Sequence, residues 1–242
     1  MVSNGIINTA TGGRLISKRY PHIEGWLSGC RQERDCQPVA AYGILYGQHV
    51  KEAIPMEFIR ITAWDDARLK RSLAHYATSF PAHEQRSPAS QAAILSDSAY
   101  HYCLISADDR EVGAILYWEM AAFVYVEHFF INPTFRGCGY GGAALAKLCR
   151  TDQPVILEID PPADAVSVRR RAFYERCGFA VNPYPHVHPP YRAGNAGHAL
   201  TVMSYPGRIS QALYDEFFHG LITRVMAGAV EAGAPAGRKP CR

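Results

Sequence analysis

The stretch Arg136-Gly137-Cys138-Gly139-Tyr140-Gly141-Gly142 puts four glycines into six consecutive positions, between a strand-like run and a helix-like run. Glycines there let backbone amides approach an anion closely, and the helix behind them adds unpaired N–H donors and the positive end of its dipole. That is chemistry for holding phosphate with main chain. Two spellings of such a turn fit. Gly137, Gly139 and Gly142 satisfy G-x-G-x-x-G, with Asp160 at a suitable distance to hold a ribose, which points to a nicotinamide-dinucleotide oxidoreductase. Arg136, Gly139 and Gly141 satisfy [QR]-x-x-G-x-[GA] as well. Upstream, Glu127 is the acidic residue in the apolar run 122–131, where burial would raise its pKa toward that of a general base. Its bland alternative is a polar residue at a sheet edge.

These residues need elements to position them. Residues 56–62 alternate apolar and polar, as a half-buried strand does, and a helix is expected over 65–76. A short helix should begin after Ser87, with Pro88 in its first turn. Strand-like runs follow at 100–106, 112–119 and 122–131, the first two joined by a hairpin loop at 107–110. The run 122–131 is apolar on both alternating faces: Ala122, Val124, Val126 and Phe130 on one, Phe123, Tyr125, Phe129 and Ile131 on the other. That predicts a central strand covered on both sides. A helix is expected over 141–150, a strand over 155–160, and a helix over 164–176 stopped by Gly178. A strand near Phe179 leads through a loop rich in proline and histidine to a strand over 198–205 and a helix over 209–225. The dinucleotide spelling fits this order poorly, because that turn normally follows its strand at once and opens parallel strand–helix units. Here Asn132-Pro133-Thr134-Phe135 intervenes.

Composition narrows the class. The 242 residues are 48% hydrophobic and 11% aromatic, which excludes global disorder. Lys+Arg 25 against Asp+Glu 22 gives a net charge of +3, too balanced for a chain built to neutralise nucleic acid. No apolar run approaches the ~18–20 residues of a membrane helix, and Thr11, Gly12, Gly13 and Arg14 interrupt any secretory leader. The seven cysteines are irregularly spaced with no CxxC pair, so reduced thiols and a cytoplasmic location are expected. His186, His188 and His198 match no common metal spacing, and no metal is expected. Three zones are read: an extension over 1–55, a catalytic domain over 56–225 and a flexible tail over 226–242. The first zone is either an accessory segment or an upstream extension before a natural start at Met56.

The second spelling, together with the run from Val126 to Pro133 and the helix end Phe173-Tyr174-Glu175-Arg176-Cys177-Gly178-Phe179, resembles the GCN5-related N-acetyltransferase (GNAT) superfamily over about 150 residues. The resemblance implies an α/β fold with a mostly antiparallel central sheet of six to seven strands and helices on both faces. It implies acetyl-CoA as acetyl donor and an amine acceptor, a small molecule or a peptide, reached by direct transfer in a ternary complex. Neither nucleic acid nor membrane is implied as a partner, and the oligomeric state is not. Arg136, Gly137, Cys138, Gly139, Tyr140, Gly141 and Gly142 would grip the pyrophosphate. Backbone groups of Phe129, Phe130 and Ile131 would hold the pantetheine arm and thioester. Tyr174 would protonate the CoA thiolate, unless it is an ordinary core aromatic. Ser167 stands where many relatives carry an asparagine that contacts pantetheine. The loop 182–191, with Tyr184 and Tyr191, would border the acceptor. A non-catalytic module that keeps the fold and binds CoA or a protein is the other alternative.

Overall fold

In the computed structural model, which describes residues 54–229, every α-helix but one begins where a side chain caps it. Asp66 accepts from Arg68 N–H at the head of α1 (Ala67–Ser79), and Leu69, Ser72 and Tyr76 form its buried stripe. Ser87 caps α2 (Pro88–Ile94), whose first residue is the proline. α3 (Tyr140–Leu148) starts from Gly139, and α4 (Ala165–Arg176) from a capping box between Asp164 and Ser167. Gly178, at φ 90°, ends α4 in the left-handed conformation that glycine adopts most cheaply. Ser210 caps α5 (Gln211–Gly220), which runs on into a π turn over Leu221–Val225.

The strands are β1 (Met56–Ile61), β2 (Tyr100–Ala107), β3 (Arg110–Glu119), β4 (Val124–Ile131), β5 (Val155–Ile159), β6 (Ala180–Val181), β7 (Val187–His188), β8 (His198–Ala199) and β9 (Thr201–Tyr205). Seven of them make one sheet in the order β1-β2-β3-β4-β5-β9-β6. Its neighbours pair antiparallel, except that β4 and β5 run parallel. The mixed α/β class and the mostly antiparallel sheet thus agree with expectation. Asp108 and Asp109 close the β2–β3 hairpin at φ 50° and 57°, the double left-handed turn that suits strand twist.

Two expectations about strands need correction. The run 198–205 is not one strand: Leu200 donates to the His186 carbonyl, β8 pairs with β7 in a separate hairpin, and only β9 joins the main sheet. In β4, Tyr117 faces Val126 while Leu116 faces His128, so Glu127 is an extra residue, a β-bulge. The bulge breaks simple alternation. Tyr125 and Phe130 pack into one core, and Val126 and Phe129 into the other, the reverse of the pairing that period two dictates.

Those cores lie on opposite faces of the sheet. One holds Leu69 and Tyr76 of α1 with Tyr214 and Phe217 of α5. The other holds Ala144 and Leu145 of α3 with Tyr174 of α4. Met226 and Ala229 are buried in the first core, so packing continues past the expected tail boundary at 225. The zone 1–55 lies outside the described residues except for its last two, as does 230–242. Among the described residues no helix is long and apolar enough to cross a membrane, and Cys103, Cys138, Cys149 and Cys177 are free thiols.

Candidate active site

β4 and β5 pair only from Val124–Val155 to Val126–Leu157. Beyond that point both strands continue without each other, leaving a gap that opens at Glu127 and Glu158. The far edge of β4 is therefore free main chain. Asn132 N–H donates to Val112 of β3, and successive amides alternate sides along a strand, so the Phe129 and Ile131 amides point into the gap. The Ile131 carbonyl shares that edge and accepts from Arg136 Nε at 3.0 Å. Phe130, between them, turns its amide toward β3.

A short 3₁₀ turn, Pro133–Phe135, carries β4 into the glycine segment. Gly137 and Gly139 take φ 82° and 85°, a region where a Cβ costs roughly 1–2 kcal/mol. With these two conformations the chain reverses into α3 in two residues, and the first-turn amides of Tyr140, Gly141 and Gly142 precede any intrahelical acceptor. A Cβ on Gly141 would meet the Phe173 ring at 3.3 Å, so this position keeps α3 close to α4. Cys138 is a half-buried spacer whose thiol lies 3.8 Å from the Arg136 carbonyl. The Tyr140 ring is buried, and its hydroxyl reaches Asp108 at 3.4 Å. Tyr174 sits on the same face, its ring 5.1 Å from Phe173 and 5.8 Å from Phe179 between centroids. Burial pushes the phenol up to about 12, and its hydroxyl has no hydrogen-bond partner among the described residues.

Glu127 projects to the other face, where its side chain is completely buried. Arg86 Nε donates to Oε1 at 2.7 Å, Tyr191 to the same oxygen at 3.0 Å, and Trp118 Nε1 to Oε2 at 2.8 Å. Burial alone would raise this carboxyl, as the sequence suggests. The Arg86 guanidinium and these donors outweigh it and hold the group below the usual carboxylate range. The expected elevation is thus corrected: Glu127 is a fixed anion with both oxygens occupied. Arg86 itself donates to Ser90 Oγ and to the Val225 carbonyl, tying the loop before α2 and the C-terminal turn to β4. The bulge also turns His128 to this face, where Nε2 meets the Glu84 carbonyl at 2.9 Å.

Glu158 stands across the gap. It accepts from Tyr125 at 2.6 Å and from His186, with His188 Nε2 at 3.8 Å. Burial opposes its charge, but the His186 hydrogen bond, the positive charge that His188 and His186 carry when protonated, and the Tyr125 hydrogen bond hold it too below the usual range. Sequence reasoning missed Glu158, Arg86, Trp118 and His128. Glu158 had a signal: like Glu127, it is the acidic residue of an apolar strand, Val155-Ile156-Leu157-Glu158-Ile159.

A family model, the Acetyltransferase (GNAT) family, matches residues 64–179, which contain both the glycine turn and the Phe173–Phe179 segment. A solved structure described as "Putative acetyltransferase from GNAT family from Bacteroides thetaiotaomicron" is 32% identical, covers 70% of this chain and 98% of its own, and superposes with a TM-score of 0.66. The chain belongs to the GNAT acetyltransferase family. Among curated proteins it is 30% identical to "Putative acetyltransferase YjbC" of Bacillus subtilis (strain 168) over 101 residues, 40% of this chain and 50% of that one. It therefore spans about half the length of that relative.

Within this GNAT frame the other expected residues sort themselves. Arg136 and the glycine turn stand at the end of the β4 edge they were expected to continue. Ser167 does not stand free for pantetheine: its Oγ accepts from the Ala163 and Asp164 amides and donates to Asp164, so the hydroxyl is spent on the helix cap. Asp160, the ribose partner of the dinucleotide alternative, is bound to Arg170 at 2.5 Å. Of the wall tyrosines, Tyr191 enters the site through Glu127, whereas Tyr184 donates away to the Ile209 carbonyl. His186 and His188 converge on Glu158, while His198 lies apart, its ligating atom within 4.8 Å of those of His83 and Glu84. Glu127 and Tyr174 themselves lie in different cores, on opposite faces of the sheet.

Proposed function

We propose that the chain transfers an acetyl group from acetyl-CoA to a primary amine by direct attack in a ternary complex. The observation that carries this reading is a continuous main-chain track. The inward-pointing amides of Phe129 and Ile131 lead along the β4 edge to the Gly137–Gly139 turn and the α3 N-terminus. Such a track suits a ligand with amide groups along its length and a pyrophosphate at its end. The thioester would lie near the bulge, where the gap begins. From there the two faces divide the work. Tyr174, protonated at neutral pH, offers a hydrogen bond to the departing sulfur as its negative charge develops. The amine approaches from the side of Glu127, whose anion, anchored by Arg86 and Trp118, holds the Tyr191 hydroxyl in place.

Glu127 was the expected proton acceptor. Its occupied oxygens and lowered pKa favour a positioning role instead, since a carboxylate stabilised in this way is a weak base. Replacing Gly139 with Glu tests the cofactor. A side chain there is strained at φ 85°, and its carboxylate would face the pyrophosphate in a low-dielectric setting. Calorimetric affinity for acetyl-CoA is expected to vanish while cooperative melting persists; unchanged affinity would remove the reading. Release of free thiol on addition of primary amines separates an enzyme from a module that only binds CoA.

A further inference from the structure

On the amine side of the gap, two buried lone pairs have no donor among the described residues. His188, in β7, is 4% exposed, and its Nδ1 lies 2.6 Å from the Pro189 carbonyl. A carbonyl only accepts, so in the neutral ring the proton sits on Nδ1 and the lone pair on Nε2. That Nε2 has no hydrogen-bond partner among the described residues. Its near neighbour, Glu158 Oε2 at 3.8 Å, is another acceptor. His128 repeats the situation with the nitrogens exchanged. It is 5% exposed, Nε2 is turned to the Glu84 carbonyl, and Nδ1 is the buried atom without a partner. The Tyr191 ring adjoins both, at 5.0 Å from His188 and 5.8 Å from His128 between centroids, but its proton goes to Glu127.

Buried acceptors without donors are costly, and two of them beside a gap in the sheet suit a ligand that supplies the hydrogens. Glu127 already has a cation in Arg86, and among the described residues Glu158 has neither Arg nor Lys against it. The group that completes this set is small, cationic and rich in N–H donors. We propose that His188 is the general base that takes the proton of the acceptor's primary ammonium group at Nε2, with Glu158 stabilising the imidazolium so formed, and that His128 Nδ1 is the second lone pair holding that nitrogen. This rests on the acetyl-transfer reading and names the base within it. The step balances. R-NH3+ gives one proton to His188, and the freed nitrogen lone pair forms the C–N bond at the thioester carbonyl. Collapse of the tetrahedral adduct breaks C–S, the sulfur takes the Tyr174 proton, and the second amine proton restores Tyr174. Products are the acetamide and free CoA thiol, and His188 returns its proton to solvent.

The titratable groups around His188 are Glu158 on β5, His186 two residues before it, Tyr191, and His128 and Glu127 on β4, the last with Arg86. The test uses the full chain, acetyl-CoA, and n-butylamine, benzylamine, spermidine and glycylglycine as probes. His188→Gln is expected to lower kcat/KM for the amine by ~10²–10⁴. It should leave calorimetric acetyl-CoA affinity in place and replace the plateau of the pH–rate profile by a steady rise with pH. In His188→Ala, added imidazole should restore part of the rate, which a merely structural role would not show. Spectra of protein with 15N-labelled histidine should place the His188 proton on Nδ1 and that of His128 on Nε2, and methylammonium should shift the two bare nitrogens. A parental rate and pH profile in His188→Gln, with acetyl-CoA still bound, overturns the proposal alone; loss of acetyl-CoA binding by the parent overturns the reading beneath it. If the variants do not fold, or no probe is acetylated, the spectra decide. A proton fixed on His188 Nε2, or bare nitrogens indifferent to methylammonium, sinks the assignment.

Discussion

The two faces of the sheet offer a ligand different materials. On the α3–α4 side, apart from the Tyr174 hydroxyl, the contacts available to a ligand are amides, carbonyls and a helix terminus, all within residues 129–142. On the α1–α5 side they are ionisable side chains from distant segments: Arg86 reaches Glu127 over 41 positions, Tyr191 reaches it over 64, and Arg86 reaches Val225 over 139. A main-chain site depends on backbone conformation and tolerates most changes of side chain. A buried side-chain network depends on every member, because removing one leaves the others unsatisfied in a medium of low dielectric constant. The first suits a cofactor of constant chemistry. The second suits an acceptor that must be chosen and deprotonated.

The sharpest way to break this contrast is Arg86→Met. It leaves the Glu127 carboxylate buried without its cation, a defect worth about 3–5 kcal/mol. At ~2–4 °C per kcal/mol for a domain of this size, Tm should fall by about 10 °C. The pH dependence should change sign. In the parent, Glu127 is held below its unfolded value, so its contribution is complete above the ordinary carboxylate range and is lost as pH falls through the lowered value. Without Arg86, burial becomes the dominant influence and raises the group. Acidification then protonates it and narrows the gap between variant and parent. Paired melts from pH 7 to pH 4 read both effects, and a variant that melts with the parent at every pH shows that the ion pair is not a keystone of this face.

Tyr174→Phe probes the other face, and there stability and rate should separate. The hydroxyl has no partner among the described residues, so its removal should leave Tm within about 1 °C. Loss of a donor to the departing thiolate should lower kcat by about 10²-fold with acetyl-CoA affinity spared. Equal losses in rate and stability would put Tyr174 back among the ordinary core aromatics.

The asymmetry between the faces also explains what could be read from the sequence. The glycine turn, the Phe173–Phe179 helix end and the element order were legible because each is contiguous or periodic. Asp66, Ser87, Asp164 and Ser210 cap where their residue types say they should. The Glu127 bulge was not legible. Val126-Glu127-His128 has no glycine or proline to mark it, and the extra residue is visible only against the register of β3. That one residue moved His128 to the α1–α5 face, where period two does not place it. Arg86 was illegible for a different reason: it lies in a polar linker, and nothing local says that its guanidinium will be enclosed between β4 and the C-terminal turn. The sign of the Glu127 shift followed from the same omission, since burial without Arg86 does argue for a raised pKa.

The smallest expected effect tests where the cofactor side ends. Position 167 lies at the start of α4, and a serine there reads equally as a hydrogen-bond partner for pantetheine or as part of the helix cap. The geometry favours the cap. Its Oγ receives the amides of Ala163 and Asp164 at 3.0 Å each and returns its own proton to Asp164. A hydroxyl with one hydrogen and two lone pairs has nothing left for a ligand. Ser167→Ala should therefore cost about 1 kcal/mol, as for a lost hydrogen bond in the reciprocal half of the capping box, and lower Tm by about 3 °C. Acetyl-CoA affinity should stay within about twofold of the parent, because the amides of Phe129 and Ile131 and the glycine turn are untouched. Calorimetry and a melt on the same preparation distinguish the cases. A tenfold loss of affinity with an unchanged Tm would mean that the hydroxyl leaves its cap to meet the cofactor, and the main-chain track would then extend to a side chain on α4.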